Sequence, residues 1–581
     1  MNLMQALEIT ARPVPQGTAA RKLFLACGFT PLHLPTFIDA HLLTSQPQQS
    51  NEFKTGVYGD LAGNLLLASS SAETDANIVV VEWPDIDARL GARALGGWRS
   101  DELSHILSSA QAQLSRLRGA ILEAAQNTPT ILCMPSLPLP PLFYTRSDQS
   151  PAEELQLNEF VASFAASLLT VKNIRVLSFQ KLSAHSPLST RFDVRSEILT
   201  GFPYSLAHSS ALAAQIAELL VNRPPKKGLI TDLDDTLWAG VLGEVGVDGI
   251  SWCIDQHSHM HGLYQQFLAS LASAGVLLAV ASKNDSSLVR KALERKDLLL
   301  SPDYIFPIEV HWDRKSESVR RILESWNVAP DTVVFIDDSP MEVAEVTASF
   351  PSIEGIVFPN KDYRAIWQLL HSLRDLFGKP FLSSEDSLRL QSLRQMSAVK
   401  ESLASLVSTD DFLRAADARI RFTLLKDNCD PRALELVNKT NQFNLNGKRF
   451  NEAELARYLR DPTSFLLIAS YKDRFGPLGK ITVMLGKQYG QQVRLDSWVM
   501  SCRAFSRRIE FQSLKYIFEK FDAEDVVFDF QATDRNDPLQ ECLKVILSTA
   551  PFPNSSVARS DFLRRIPSLF HSIEDSTNDP R

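Results

Sequence analysis

The stretch Gly228-Leu-Ile-Thr-Asp232-Leu-Asp234-Asp-Thr236 decides how the middle of the chain folds. Its short apolar start follows a polar, proline-containing run that ends at Lys227, and carboxylates begin as soon as the apolar residues stop. This pattern is typical of a linker that enters a buried strand, which then opens into a polar turn. We therefore predict a strand over residues 228–231 and a carboxylate-rich turn after it.

Further short apolar runs follow in the same part of the chain. They cover residues 276–281, 304–307, 332–336 and 355–358, and helical patterns such as 263–274 and 287–294 lie between several of them. This alternation of strand and helix predicts a parallel sheet flanked by helices. Ligands of such sheets bind at the carboxyl ends of the strands, so the polar residues directly after each run are candidate site residues.

The polar residues after these runs form a chemically coherent set. They are Asp232 and Asp234 after the first run, Ser282, Lys283 and Asn284 after the second, Lys315 further on, and Asp337 and Asp338 after the fourth. Carboxylates that meet at one sheet edge repel one another unless a hard divalent cation with oxygen ligands neutralises them. We therefore expect Mg²⁺ as a cofactor.

The same set suits the chemistry of a phosphoryl group. Ser282 offers a hydroxyl donor and Lys315 a positive charge beside the carboxylates, and phosphoryl oxygens require both. Asp232 can attack phosphorus to form an aspartyl phosphate. Asp234, two residues further on, can protonate the leaving oxygen and later activate water.

The order of the motifs DLDDT, VASKN, a lysine and FIDDSP resembles that of the haloacid dehalogenase (HAD) superfamily phosphatases. The resemblance implies Asp232 as nucleophile and Asp234 as general acid and base. It further implies phosphate binding by Thr236, Ser282, Lys283, Asn284 and Lys315, and magnesium binding by Asp232, Asp337, Asp338 and the Asp234 carbonyl. Carboxylates that merely cap a following helix are the alternative for a single DxDxT pentapeptide, and four motifs in order favour the phosphatase.

The longer string from Asp232 to Gly246, DLDDTLWAGVLGEVG, resembles the FkbH-like subgroup of these phosphatases more narrowly. Members of that subgroup load three-carbon units onto acyl carrier proteins for polyketide assembly. This chain has Asp235 where the subgroup has asparagine, and Ala239 where it has glycine. Asp235 adds a negative charge beside the expected metal, and Ala239 removes backbone freedom from the turn.

The C-terminal third is similar to the acetyltransferase-like (GNAT-like) domain of FkbH-like proteins. The segments NKTNQFN at 438–444, DRFGPLG at 473–479 and SWVMSCR at 497–503 carry the resemblance. It implies that Cys502 holds the acyl group as a thioester, which exchanges readily with a phosphopantetheine thiol. A lone buried cysteine with a packing role is the alternative.

The base that would activate Cys502 is left open by the sequence. No histidine lies between His371 and His571, so the thiolate would depend on His571, on another domain, on nearby arginines, or on a helix that begins near Arg507. The arginines are Arg503, Arg507 and Arg508. The following loop, residues 504–510, lacks the glycines that would open backbone amides to a pyrophosphate, so we predict no coenzyme A binding.

The apolar runs of the N-terminal third predict a further α/β fold. Buried strands are predicted at residues 22–26, 78–82, 130–134 and 174–178. In FkbH-like proteins this region is similar to SGNH-type hydrolases, whose nucleophile would fall at Cys27. His208 has Ser205, not aspartate, three residues earlier. We therefore favour a noncatalytic docking or scaffold domain, with Cys27 as a nucleophile as the alternative.

Composition and charge restrict the class of protein. The chain has 581 residues, 60 Lys and Arg against 68 Asp and Glu, and a net charge of −8. That balance argues against a nucleic acid partner. Its six cysteines form no CxxC pair, and no long apolar run indicates a membrane span, so we expect a cytoplasmic protein. We predict three α/β domains at residues 1–222, 225–380 and 385–575. Helical patterns over 363–377 and 388–407 lie on either side of the last boundary.

The resemblance implies a glyceryltransferase/phosphatase. Such a protein takes a three-carbon unit from 1,3-bisphosphoglycerate, dephosphorylates it and loads it onto an acyl carrier protein as its partner. A variant that loads lactyl units is open as well. So are a simple Mg²⁺-dependent phosphatase with structural flanking domains and a noncatalytic docking scaffold for carrier proteins.

Overall fold

The computed structural model describes residues 1–13, 19–70, 74–126, 128–221, 223–379, 410, 413–414, 416–426, 430–474, 476–501, 504–505, 507–533 and 535–575. These residues fall into two compact units. The first contains Met1–Arg223 and Phe450–Tyr458, and the second contains Pro224–Arg449 and Leu459–Arg581. The second unit holds two separate sheets. The three predicted domain boundaries therefore stay a prediction.

The first unit is built on a five-stranded parallel sheet, in the order β2-β1-β3-β4-β5. Its strands are β1 (Arg21–Cys27), β2 (Asn51–Thr55), β3 (Ala76–Val80), β4 (Thr130–Cys133) and β5 (Ile174–Val176). The helices are α1 (Leu3–Thr10), α2 (Leu34–Ser45), α3 (Leu61–Ser70), α4 (Trp83–Ile86), α5 (Leu103–Ala124), α6 (Ala152–Leu168), α7 (Phe179–His185), α8 (Val194–Thr200) and α9 (Leu206–Val221). All four predicted strands are present. The sequence did not predict β2, because the residues of this strand are mostly exposed and form no apolar run.

The middle of the chain forms a second five-stranded parallel sheet, in the order β10-β9-β6-β7-β8. Its strands are β6 (Gly228–Thr231), β7 (Leu277–Ser282), β8 (Ile305–Val310), β9 (Val333–Asp337) and β10 (Glu354–Val357). The helices are α10 (Leu242–Gly249), α11 (His259–Ser273), α12 (Ser286–Leu293), α13 (Lys315–Trp326), α14 (Pro340–Ser349) and α15 (Tyr363–Phe377). The predicted parallel sheet is therefore confirmed strand by strand.

The position of β6 explains why its carboxyl end carries the site. This strand is central in the sheet, with β7 on one side and β9 on the other. Every residue of β6, β7 and β9 is buried, which fits the uninterrupted apolar runs of the sequence. Side chains that follow these strands consequently meet at one edge.

The remaining sheet has seven strands, in the order β16-β15-β14-β13-β12-β11-β17. They are β11 (Arg419–Leu425), β12 (Ser464–Asp473), β13 (Gly476–Tyr489), β14 (Gln492–Met500), β15 (Asp525–Phe528), β16 (Ser556–Ala558) and β17 (Ser572–Asp575). The helices in this part of the chain are α16 (Pro431–Lys439), α17 (Glu452–Leu459), α18 (Ile509–Lys520), α19 (Asp537–Leu547) and α20 (Arg559–Arg565). Nearly all of α17 belongs to the first unit. Pairing is antiparallel except at β14–β15 and β11–β17.

The likeness of this mixed sheet to acetyltransferases stays a prediction. Within the described residues, no helix is both long enough and apolar enough to cross a membrane.

Candidate active site

Three carboxylates meet at the carboxyl edge of the middle sheet, as the sequence predicts. Asp232 follows β6 directly, Asp337 ends β9, and Asp338 comes next. Ligand oxygens of the three lie within 4.8 Å of one another. In the part of the chain that the structure describes, this is the only such cluster of three or more His, Cys, Asp or Glu side chains. The backbone N–H of Asp232 donates to the Ile336 carbonyl at 2.9 Å. This bond continues the pairing of β6 with β9 and so places Asp232 beside Asp337.

Lys315 supplies a positive charge to this cluster. It is the first residue of α13, and its Nζ lies 3.0 Å from Oδ2 of Asp232 and also contacts Oδ2 of Asp337. Burial lowers the pKa of Lys315, but the charges of Asp232 and Asp337 together raise it above its usual value. The lysine is therefore charged, and it offsets part of the repulsion between the carboxylates.

The carboxylates that face Lys315 are themselves perturbed. Burial and the Asp232 charge raise the pKa of Asp337 to about 6, with Lys315 opposing. Burial, followed by the charges of Asp232 and Asp235, raises the pKa of Asp338 to about 6. Excess negative charge thus remains after Lys315 is counted, and a cation at this edge would relieve it.

An unpartnered atom supports the fit of a metal ion. Oδ1 of Asp232 is buried and has no hydrogen-bond partner among the residues that the structure describes. A buried carboxylate oxygen without a partner is costly unless a ligand completes it. Oxygen donors from Asp232, Asp337 and Asp338 are the type that Mg²⁺ prefers. These residues therefore fit a hard divalent cation.

Asp234 lies apart from the three metal-type carboxylates and is held by two side-chain nitrogen donors and by the backbone N–H of Leu242. The indole Nε1 of Trp238 donates to Oδ1 at 3.0 Å, and the amide Nδ2 of Asn284 donates to Oδ2 at 2.9 Å. Burial raises the pKa of Asp234, and the hydrogen bonds from Trp238 and from the Leu242 backbone oppose that effect. A raised pKa suits a group that is to donate a proton near neutral pH.

Helix α11 fixes the turn that carries these residues. The ring Nδ1 of His261 donates to the Thr236 carbonyl at 2.9 Å, and the amide of Gln265 donates to the Leu237 carbonyl at 2.9 Å. Both donors are buried. The turn that follows β6 is therefore rigid, although its sequence is polar.

Asp235 has a structural role beside its electrostatic one. It has a left-handed backbone (φ 49°), and its Oδ1 accepts the N–H of Gly240 at 2.8 Å. Aspartate and asparagine both tolerate this conformation, so the departure from the FkbH-like string leaves the turn intact. Ala239 pairs with Ser251 through two backbone hydrogen bonds of 2.9 and 3.1 Å.

The structure distributes the predicted phosphate binders over different environments. Ser282 ends β7, beside β6, and is buried. Thr236 is also buried, and its Oγ1 has no partner among the described residues. Lys283 pairs with Glu342 at 2.8 Å, while Asn284 contacts Asp234. Direct phosphate contact by Ser282, Lys315 and the other three residues stays a prediction.

Comparison with known proteins supports this fold. Neither a family model nor the sequence of a curated protein matches the chain. A solved structure of the N-terminal part of protein BF1531 from Bacteroides fragilis, which contains a phosphatase domain and is complexed with Mg, is similar at 19% identity and a TM-score of 0.50. The likeness covers 66% of this chain and 100% of that one. At this identity it concerns the fold alone. It agrees with the parallel α/β fold that the sequence predicts. Membership of the HAD superfamily stays a prediction.

Weaker likenesses occur as well. Salicylyl-acyltransferase SsfX3 from a tetracycline biosynthetic pathway is 14% identical, with a TM-score of 0.22, and the match covers 36% of this chain and 57% of that one. Phospholipase A1 from Streptomyces albidoflavus is 12% identical, with a TM-score of 0.25, and the match covers 36% and 100%. Similarities this low leave the predicted SGNH-like fold of the N-terminal unit undecided.

The alternative role of Cys27 as a nucleophile does not fit its surroundings. Its thiol is buried and contacts the Phe29 carbonyl at 3.2 Å. Burial raises the pKa of Cys27 to about 12, with the Asp85 charge acting in the same direction. The thiolate is the reactive form, so this environment suppresses reactivity. The noncatalytic role of this domain stays a prediction.

The N-terminal unit contains a buried polar network that the sequence did not reveal. Nε2 of His208 lies 2.9 Å from Oγ of Ser136, and Nδ1 lies 2.9 Å from Oγ of Ser186. The Ser136 hydroxyl lies 2.7 Å from Glu82, which also accepts from Tyr204 at 2.8 Å. His208 thus has hydroxyl partners where a hydrolase base would have a carboxylate. These polar residues look ordinary in sequence because their partners lie far along the chain.

Cys502 and Arg503 lie outside the described residues. Of the other arginines considered for the thiol, Arg507 is 3.6 Å from Asp473, and Arg508 donates to Asp410 at 2.5 Å. Helix α18 begins at Ile509, close to the predicted position. Burial lowers the pKa of His571 to about 4.

A buried acid at the start of α18 was also missed. Burial raises the pKa of Glu510 to about 7, and its Oε2 has no partner among the described residues.

Proposed function

We propose that this protein is a Mg²⁺-dependent phosphatase that uses Asp232 as its nucleophile. The observation that carries the proposal is the state of the Asp232 carboxylate: one oxygen faces Lys315, and the other is buried without a partner beside Asp337 and Asp338. A nucleophile that must meet a dianionic phosphoryl group needs this combination of a cation and a metal-type carboxylate set. The magnesium complex of the BF1531 fragment is consistent with the same cofactor.

The residues divide the reaction between them. An oxygen of Asp232 forms a bond to phosphorus while the bond to the substrate oxygen breaks, and Asp234 gives its proton to that oxygen. Water then attacks phosphorus, Asp234 takes up the water's proton, and the bond to Asp232 breaks to release inorganic phosphate. Lys315 and Ser282 hold the phosphoryl oxygens. Bound Mg²⁺, held by Asp232, Asp337, Asp338 and the Asp234 carbonyl, would supply charge neutralisation.

The test of this activity is phosphate release by the full chain with Mg²⁺ and a phosphate monoester. Asp232→Asn keeps the volume of the side chain but is a poor nucleophile, so turnover should fall to background. Asp255→Asn, at an exposed loop position, is a matched control and should behave as wild type. Excess EDTA should abolish turnover, and added Mg²⁺ should restore it. Turnover that survives Asp232→Asn or EDTA would remove Asp232 or the metal from the mechanism.

The finer proposal is a glyceryltransferase/phosphatase that serves an acyl carrier protein. It rests on the resemblance of the DLDDTLWAGVLGEVG, NQFN and MSCR segments to FkbH-like proteins. The thiolate of Cys502 would attack the acyl carbon of 1,3-bisphosphoglycerate, with inorganic phosphate as the leaving group. The Asp232 site would remove the second phosphate, and the carrier's phosphopantetheine thiol would then take the acyl group by thioester exchange.

Intact-protein mass spectrometry tests the acyl step. Wild-type protein incubated with 1,3-bisphosphoglycerate should gain the mass of a glyceryl or phosphoglyceryl group, and hydroxylamine should remove it. Cys502→Ser should neither accumulate this labile adduct nor load a carrier protein, while its phosphate release from a simple monoester should persist. If Cys502→Ser loads the carrier at the wild-type rate, the covalent route is wrong. If no acyl group is ever transferred, the simple phosphatase reading replaces this one.

A further inference from the structure

Both carboxylate oxygens of Asp234 accept hydrogen bonds from side chains whose role the proposed reaction does not explain. The two oxygens accept from two different side-chain donors, Trp238 Nε1 at 3.0 Å and Asn284 Nδ2 at 2.9 Å. The donors come from different elements, since Trp238 lies in the turn after β6 and Asn284 lies just after β7. Two hydrogen bonds on opposite oxygens fix both the position and the plane of a carboxyl group.

Both donors are themselves immobilised. Trp238 is fully buried in the apolar core of the middle sheet, and its backbone pairs with that of Asp234 in an isolated bridge. Asn284 is 5% exposed, and its Oδ1 accepts the N–H of Asp285 at 3.0 Å. That contact fixes which end of the amide is the oxygen, and so it directs the Nδ2 hydrogens toward Asp234.

These hydrogen bonds still allow the Asp234 carboxylate to bind and release a proton. The backbone N–H of Leu242 also hydrogen-bonds this carboxylate. A carboxylate has about four lone-pair directions. The three donors therefore leave one direction open to a proton. Within the described residues, the side chain of Asn284 hydrogen-bonds Asp234 and Asp285, and that of Trp238 hydrogen-bonds Asp234, so neither donor is engaged with Asp232.

We propose that Trp238 and Asn284 are positioning residues that hold Asp234 for proton transfer to and from the substrate oxygen, and that they take no part in phosphoryl capture by Asp232. The inference rests on the proposed phosphatase function and reassigns Asn284, which the sequence placed among the phosphate binders. Proton transfer requires heavy atoms at hydrogen-bond distance in a defined direction, so loss of either donor should slow that transfer selectively.

Leaving groups of different basicity separate the two roles. The nitrophenolate of p-nitrophenyl phosphate leaves without a proton, whereas the alcohol of glycerol 3-phosphate leaves only when its oxygen is protonated. First-turnover release of nitrophenol therefore reports attack by Asp232 alone. First-turnover release of glycerol reports attack together with proton donation. Only the first turnover is compared, because later turnovers also need Asp234 as a base.

Asn284→Leu removes the donor at nearly constant volume. We expect glycerol release to slow about 100-fold, while the nitrophenol burst stays within about threefold of wild type and half-saturates at the same substrate concentration. Asn284→Gln keeps the amide and should recover part of the loss. Equal losses with both substrates, or a raised half-saturating concentration, would instead make Asn284 a phosphate binder. If Asn284→Leu releases both glycerol and nitrophenol at the wild-type rate, Asn284 has no positioning role.

Trp238→Phe tests the second donor, with Trp326→Phe as its matched control. Both tryptophans are buried, Trp238 in one apolar cluster of the middle of the chain and Trp326 in another, and Nε1 of Trp326 donates to the Phe306 carbonyl at 2.6 Å. Both variants lose a similar volume and one hydrogen bond, so thermal unfolding should shift comparably. Only Trp238→Phe should show the selective loss of glycerol release. If the control shows the same selectivity, general loosening of the fold is the cause and the proposal fails.

Asp232→Asn distinguishes failure of this inference from failure of the proposed function. If that variant retains the nitrophenol burst, the phosphatase assignment itself is wrong. If it loses the burst while the Asn284 and Trp238 variants lose both substrates equally, the phosphatase stands and only the positioning role is overturned.

Discussion

Nζ of Lys315 lies 3.0 Å from Oδ2 of Asp232 and contacts Oδ2 of Asp337 as well. One buried cation thus joins the carboxyl ends of two neighbouring strands, β6 and β9. The lysine is anchored because it begins α13, and its side chain is only 5% exposed. The chain thereby supplies part of the positive charge that carboxylates at this edge require, and it presents that charge where a phosphoryl group would arrive.

Lys315→Met should abolish phosphate release and also destabilise the fold. Removal of one partner from a buried ion pair leaves an uncompensated charge, which typically costs about 3–5 kcal/mol. Urea unfolding at neutral pH measures this loss, and phosphate release measures the activity. Added Mg²⁺ should recover part of the stability, because the cation offsets the same carboxylates.

The double variant Lys315→Met/Asp337→Asn is the control for that prediction. It removes one negative charge together with the positive one, so it should be more stable than the single variant yet equally inactive. If Lys315→Met is as stable as wild type, the bridge is not a stabilising ion pair.

Asp235→Asn should weaken Mg²⁺ binding without disturbing the turn. The amide oxygen of asparagine can still accept the Gly240 N–H that Asp235 Oδ1 accepts at 2.8 Å. The negative charge beside Asp338 is lost, however, and it attracts a divalent cation at short range. At about pH 8, where Asp338 is already ionised, we expect the half-saturating Mg²⁺ concentration to rise about 3- to 30-fold.

As a control, Asp235→Asn and wild type should have the same thermal unfolding midpoint in the presence of EDTA, which would show that the turn is intact. An unchanged or lower half-saturating Mg²⁺ concentration would contradict the electrostatic role of Asp235.

Thiol labelling of the native protein should separate the cysteines by burial. Cys253 is exposed, whereas Cys27, Cys133 and Cys542 are buried. Burial raises the pKa of Cys27 to about 12 and raises that of Cys133 further. With iodoacetamide at neutral pH, peptide mass mapping should therefore find Cys253 modified and these three protected until denaturant is added. Rapid native labelling of Cys27 would reopen the question of a nucleophile there.

The sequence located the middle sheet and its site because the decisive features are local. The strand over 228–231 agrees residue for residue with β6, since a sharp change from apolar to charged side chains marks its end. The helix over 363–377 likewise agrees with α15, whose N-cap Asp362 and following Gly378 mark both ends. The helix expected over 388–407 lies outside the described residues.

Features that depend on distant partners were out of reach of the sequence. Asn284 and Asp234 are 50 residues apart, and only the pairing of β6 with β7 brings them together. The buried hydrogen bond between Tyr204 and Glu82 spans 122 residues. In the sequence, polar side chains of this kind resemble surface residues, because the neighbouring residues give no sign of the distant hydrogen-bond partner.

Asp85→Asn should stabilise the N-terminal unit, and the gain should grow with pH. Burial raises the pKa of Asp85 from 3.8 to about 7, with the charge of Glu82 adding to the effect. Between those pH values the folded state keeps a proton that the unfolded chain has released, so stability falls as the pH rises. The full penalty at about pH 8 is at most about 4 kcal/mol, and relaxation of the surroundings reduces it to about 1–3 kcal/mol.

Asparagine removes this penalty while its side-chain oxygen can still accept the Glu82 N–H, which Asp85 Oδ2 accepts at 2.8 Å. The unfolding midpoint of Asp85→Asn should therefore exceed that of wild type at about pH 8 and match it at about pH 4. Asp60→Asn is a suitable control, because the exposed Asp60 also accepts a backbone N–H, that of Gly63, at 2.8 Å. Its midpoint should follow wild type at both pH values. A stability difference for Asp85→Asn that is the same at both pH values would mean that the gain comes from packing rather than from the buried charge.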